Sequence, residues 1–159
     1  MIGTRLRGKI GVAYSDLIPR NPLVRNFSGL TWNGELTATI NPQFQLAARV
    51  SRQISSSLLN DASYNVDKNY ALDAGYALNE RLRLRGGFSI APRRYTYDTA
   101  PAGPTLDRET RKTAFAGLTF DPNRRLRFSL DTGYESRNAN GSLFDYDNVF
   151  VALGASIKF

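Results

Sequence analysis

The sequence predicts an all-β protein of eight antiparallel strands running up and down, and three observations carry that prediction. Polar and apolar residues alternate with period 2 along most of the chain, whereas helical spacing is hard to find. Tight turns alternate with long polar connections. Each alternating run is about ten residues or slightly longer, the usual length of a strand that crosses a membrane at a tilt.

The first strand is expected near 2–14, with Ile2, Leu6, Ile10, Val12 and Tyr14 on one face and Arg5, Arg7 and Lys9 on the other. The second, near 28–40, sets Leu30, Trp32, Leu36 and Ile40 against Thr31, Asn33 and Glu35. The turn "NPQ" leads into the third, near 44–54, where Phe44, Leu46 and Val50 oppose Gln45 and Arg49. The fourth, near 63–78, carries Tyr64, Val66, Tyr70, Leu72 and Tyr76 against Asn65, Asp67 and Asp73. After "NE" comes a fifth strand near 81–92, in which Leu82, Leu84, Phe88 and Ile90 alternate with Arg81, Arg83 and Arg85. The sixth, near 109–120, has Ala114, Ala116, Leu118 and Phe120 opposite Glu109, Arg111 and Thr113. "DPN" turns the chain into the seventh, near 124–136, with Leu126, Phe128, Leu130 and Tyr134 opposite Arg125, Arg127, Asp131 and Glu135. The eighth, near 146–159, closes on Val149, Val151, Leu153, Ile157 and Phe159. A chain of 159 residues is one domain's worth, so residues 1–159 are read as a single unit.

Alternation alone does not say which face is enclosed. A soluble sandwich or lipocalin-like barrel would turn the oily face inward. Against it, the aromatics of the oily face gather toward strand ends: Phe44, Tyr76, Phe120 and Phe159 by the short turns, and Tyr14, Tyr64 and Tyr134 by the long loops. Two such belts suit the two interfaces of a bilayer. The opposite face mixes long charged side chains with Gly, Ala and Ser, as a crowded barrel interior requires. The expected fold class is therefore an eight-stranded antiparallel up-and-down transmembrane β-barrel.

Composition narrows the function. No cysteine and no histidine are present, which removes thiolate metal sites, nucleophile–histidine pairs and the commonest neutral-pH base. No enzyme, cofactor or metal site is expected; "FDYDN" offers Asp145 and Asp147 but not the rest of a calcium shell. Lys and Arg number 21 against 14 Asp and Glu, a formal charge of +7. With the oily face outward, much of that charge points inward, so no nucleic-acid partner is needed to explain it.

Strands one, five and seven start from the same end, which stacks Arg5, Arg7, Lys9, Arg81, Arg83, Arg85, Arg125 and Arg127 into one basic belt at the short-turn mouth. Glu35, Asp67, Asp73, Asp131 and Glu135 are their expected acidic partners. Such a lumen is either a salt-bridged plug or an anion-attracting passage. Three cations break the pattern by falling on the oily face near the loops, namely Arg52, Lys68 and Lys112; they are expected to reach lipopolysaccharide phosphates or to be ordinary rim cations.

The segments "FSGLTWNGELTATINPQFQLAARVSRQ", "NYALDAGYALNERLRLRGGFS" and "YDNVFVALGASIKF" together resemble the putative β-barrel porin (type 2) family of outer-membrane proteins, associated with exopolysaccharide export. The resemblance implies the outer membrane of a Gram-negative bacterium, and a porin-like or export-accessory role toward anionic solutes or polysaccharide. The other reading is a closed structural anchor displaying loops. It also implies outer-membrane lipid and lipopolysaccharide as surroundings, and recognition of Phe159 by the barrel-assembly machinery. Members of that family are generally longer, so the chain is also consistent with the C-terminal part of a larger barrel.

Overall fold

The computed structural model describes residues 5–18, 26–56, 62–97 and 106–157. The eight strands are β1 (Arg5–Leu17), β2 (Phe27–Thr39), β3 (Phe44–Ser56), β4 (Ala62–Ala77), β5 (Leu82–Tyr97), β6 (Arg108–Phe120), β7 (Leu126–Ala139) and β8 (Tyr146–Ile157), with one short 3-10 turn at Ser142–Phe144 before β8. They form one sheet in sequence order, each antiparallel to the next. Four strands run further toward the loops than the alternation suggests: β1 reaches Leu17, β3 Ser56, β5 Tyr97 and β7 Ala139.

Register assigns the faces. Lys9 stands opposite Glu35 and Glu35 opposite Arg49, while Asp73 faces Gly87. Arg85 faces Gly117, Gly117 faces Asp131 and Asp131 faces Ala152. The odd positions of β1 to β7 and the even positions of β8 therefore share the polar face. The apolar face is the outer one, because its large side chains are exposed: Leu72 by 55%, Phe88 by 47% and Tyr134 by 45%. Among the described residues only Tyr95 and Leu106 are buried hydrophobics. The polar face is concave, since a single cavity is lined by residues of β2 through β6, from Thr39 and Gln45 to Gly75, Arg85 and Thr119.

The sheet curls without closing. Among the described residues β1 pairs only with β2, and β8 only with β7. Both edges are correspondingly bare: Ile10 is 87% exposed and Leu153 is 83% exposed. The ring expected from eight strands is thus present as an open, barrel-curved wall.

One local device makes all three short turns. The Oδ1 of Asn41 accepts the amides of Gln43 and Phe44 at 2.9 and 2.7 Å. Asn79 takes those of Arg81 and Leu82, both at 2.9 Å, and Asn123 those of Arg125 and Leu126, both at 2.9 Å. Each asparagine thereby substitutes for a backbone acceptor and reverses the chain. Adjacent turns are tied sideways, by Ala77 N donating to Gln43 O and Asp121 N to Arg81 O, both at 2.7 Å. Turn chemistry thus sets the register of each of these hairpins locally. Replacing Asn79 by Ala removes the acceptor for two amides and is expected to lower stability by about 1 kcal/mol. Asn79→Asp, which keeps the oxygen, is expected to behave as wild type in the urea midpoint of refolding in detergent micelles.

Candidate functional site

The polar face divides into two halves with different charge balance. In the half nearer the short turns, cross-strand spacing sets single ion pairs. Lys9 Nζ lies 3.7 Å from Glu35, Arg49 donates to Asp73 at 2.5 Å, and Arg127 forks onto Asp121 at 2.7 and 3.1 Å. Asp121 lies in the turn after β6, where Arg127, and more weakly the charge of Arg83, hold its carboxyl below the usual range. Its ion pair accordingly persists as pH falls through the ordinary carboxylate range and is lost only below it.

Arg85 reaches further. Its Nε and Nη2 donate to Asp131 Oδ1 at 3.0 and 2.6 Å, across the whole width of the intervening strand. Gly117 makes the reach possible: a Cβ there would strike the Asp131 carboxylate and lie 2.8 Å from Arg85 Nε. Gly87 serves Asp73 in the same way, since a Cβ would run into that carboxylate and sit 3.0 Å from Leu72 O. The small residues of the polar face thus clear space for long charged neighbours.

Charge in this half does not balance. Among the described residues Arg5, Arg7, Arg81, Arg83 and Arg125 have no ion-pair partner. Arg81, Arg124, Arg125 and Arg127 line a cavity of about 830 Å³ at the short-turn end, with Asp121 and Ser156. Arg5, Arg7 and Lys9 line another of about 560 Å³ with Glu35 and Thr37.

The half nearer the loops is paired throughout. Arg93 bonds Asp67 and lies 3.5 Å from Glu109, whose other oxygen accepts Arg137 Nε at 2.6 Å. Tyr95 Oη donates to Glu109 at 3.2 Å and accepts from Arg93 at 3.4 Å. This chain of four charges crosses β4, β5, β6 and β7, and the Glu109 side chain at its centre is only 3% exposed. Arg111 continues it to Glu135 at 3.7 Å, Tyr146 Oη donates to Glu135, and the Arg137 guanidinium stacks 5.9 Å from the Tyr146 ring.

A cover lies over this network. Leu106 and Tyr95 form a buried cluster against which Tyr97, Ala139 and Phe144 pack, and Tyr97 Oη donates to the Leu106 carbonyl at 2.8 Å. The Asn140 carboxamide accepts the amides of Asp107 and Arg108 at 2.8 and 3.2 Å, pinning the entry to β6. A buried carboxylate bound by two guanidiniums and a phenol is fully compensated, so this half is a structural clasp and the other half an uncompensated basic surface.

The residues expected in the basic belt therefore separate. Arg5, Arg7, Lys9, Arg83, Arg85 and Arg127 lie on strands of the polar face, while Arg81 and Arg125 sit in the turns. Of the five expected acids, Glu35 and Asp131 meet the belt, through Lys9 and Arg85. Asp73 pairs with Arg49, and Asp67 and Glu135 belong to the loop-side network. Sequence reasoning passed over Arg93, Tyr95, Arg137 and Asp121 as partners. Pro92, which brings no amide to the ladder, reads as a strand end, yet it pairs with Thr110 and the strand continues through it. The parity of Arg83 and Arg85 carries on to Arg93 and Tyr95, and that was the available signal. Arg52, Lys68 and Lys112 stand on the apolar face in its loop-side half, whereas Phe159 lies outside the described residues. Asp145 and Asp147 are committed to different donors, Ala139 N and Tyr134 Oη, each at 2.7 Å.

A family model described as "Putative beta-barrel porin 2" matches residues 1–159. No curated protein and no solved structure matches the chain.

Two substitutions test the two halves. Glu109→Ala leaves two guanidiniums without their carboxylate and is expected to cost about 3 kcal/mol in urea unfolding from detergent micelles. Gly117→Val wedges Arg85 from Asp131 and is expected to cost about 2 kcal/mol. In a double-mutant cycle of Arg85→Met with Asp131→Asn, the coupling present in the wild-type background should vanish in the Gly117→Val background.

Proposed function

Because the chain belongs to the family described as "Putative beta-barrel porin 2", we propose that it forms barrel wall in the outer membrane of a Gram-negative bacterium. In this reading it has no enzymatic turnover, and its basic polar face passes or contacts anionic solutes or polysaccharide. The apolar face supports the membrane assignment. A contiguous outer surface bearing Leu36, Val50, Leu72, Phe88 and Leu130 exposes far more hydrocarbon than a soluble monomer tolerates. Aromatics mark both ends of that surface, with the Phe44–Tyr76 ring pair at 6.2 Å by the short turns and Tyr14 and Tyr134 by the loops.

The observation that carries the proposal is the set of unpaired guanidiniums at the short-turn end, Arg5, Arg7 and Arg83 on the strands with Arg81 and Arg125 in the turns. Short turns mark the periplasmic side of such barrels, so the basic surface would meet a solute arriving from within the cell envelope. Fixed positive charge in a low-dielectric wall raises the local concentration of anions. Lipid also imposes a condition: unpaired edge amides and carbonyls are costly there, so the reading requires the β1 and β8 edges to be joined, to each other or to further strands.

The loop-side clasp favours a second reading, a closed anchor that displays its loops and conducts nothing. Its buried ion network leaves little free charge in that half. Planar-bilayer recording separates the two. The porin reading expects a steady anion-selective current whose reversal potential moves toward zero in the Arg5→Gln/Arg7→Gln/Arg83→Gln variant. Absence of steady current from folded, inserted wild-type protein would replace it with the anchor reading.

A further inference from the structure

The outer face carries a second set of charges, outside the basic mouth, whose arrangement calls for a ligand. On β3 to β6 the apolar face is interrupted by Arg52, Lys68, Arg94, Arg108 and Lys112. Register brings them together. Arg52 stands directly opposite Lys68, and Arg94 directly opposite Arg108. Arg94 pairs with Val66, which places it diagonally from Lys68, and Lys112 pairs with Ile90 a short step toward the sheet centre. Like charges directly opposite one another destabilise a sheet, and here two such pairs lie side by side.

Among the described residues no carboxylate pairs with them. No Asp or Glu occupies the outward positions of β3, β4, β5 or β6. Among the described residues none of the five cationic side chains has an ion pair, and only that of Arg52 makes a hydrogen bond, to the Leu30 carbonyl. The polar face shows the opposite habit, with acid set beside base across adjacent strands. The level of the cluster is also informative. Between the Phe44–Tyr76 pair and the Arg52–Lys68 pair both strands advance eight residues, and a rise of about 26 Å along a strand gives about 20 Å of height at the usual tilt. The apolar band of a membrane barrel is ~25 Å tall, so the backbone of the Arg52–Lys68 pair lies about 5 Å short of its loop-side edge, a gap that a long cationic stem spans to reach the headgroups.

We infer that Arg52, Lys68, Arg94, Arg108 and Lys112 form a binding site for the clustered phosphates of a membrane glycolipid headgroup of the bisphosphorylated lipid A type. The methylene stems lie along the apolar surface while the charged ends rise to the phosphates, and the bound phosphates remove the repulsion within both like-charge pairs. The inference rests on the lipid-facing orientation given above and adds to it a specific ligand.

The test uses detergent-purified protein titrated with lipid A, with enzymatically dephosphorylated lipid A and with inorganic phosphate, read by thermal unfolding and by native mass spectrometry of retained lipid. Lipid A is expected to raise the unfolding temperature and to be retained, while the other two are not. Each cation replaced by Gln is expected to weaken retention about fivefold. The Arg52→Gln/Lys68→Gln variant, relieved of repulsion, is expected to be at least as stable as wild type without lipid and to gain less from lipid A. Arg83→Gln on the polar face is expected to keep the full lipid effect. Equal stabilisation by dephosphorylated lipid A, an equal response to inorganic phosphate, or an unchanged response in the double variant would overturn the site. Solubility and monodispersity without detergent would instead overturn the orientation on which it rests.

Discussion

Every strand of this protein carries hydrocarbon on one face and hydrogen-bonding groups on the other, and the concave side of the sheet takes the polar face. That single choice inverts the usual relation between burial and polarity. Glu109 and Asn65 are among the most enclosed side chains, whereas Leu153 and Ile10 are among the most exposed. The interior must consequently be held by charge pairing and hydrogen bonds, with the hydrophobic effect left to act between the outer face and whatever covers it.

Enclosing charge has a steric consequence as well as an electrostatic one. A guanidinium needs room to lie flat against the sheet, and the chain supplies it with glycine where two long side chains must meet. Arg85 passes over Gly117 to Asp131, and Asp73 leans over Gly87. Where pairing is complete, around Glu109, the face is sealed under Leu106 and Tyr97. Where it is incomplete, among Arg5, Arg7 and Arg83, open cavities remain. The same physics of uncompensated charge recurs outside, where Arg52 faces Lys68 and Arg94 faces Arg108 with no carboxylate among them. In the reading proposed above, that outer set is left for an external anion.

Much of this was legible from residues alone. Period-2 alternation located all eight strands and sorted their faces, because strand parity depends only on counting. The asparagine turns were readable too, since Asn41, Asn79 and Asn123 act on amides two and three residues ahead. The ends of β5 and β7 were not, because Pro92 and the polar run after Glu135 have the local character of loops while their neighbours on β6 hold them in the ladder. With those ends went Arg93 and Arg137, and with them the loop-side network.

By itself, then, the sequence determined the strand count, the up-and-down order, the face on which each side chain lies, and the absence of histidine and thiol chemistry. Those properties are local or additive, and period and composition express them directly. Which charges neutralise which was decided only by the tertiary structure, because an ion pair depends on register and stagger between strands up to 46 residues apart, as for Arg85 and Asp131. The openness of the sheet at β1 and β8 likewise has no local cause: closure depends on the summed curvature of every strand pair, and no short stretch of residues encodes that sum.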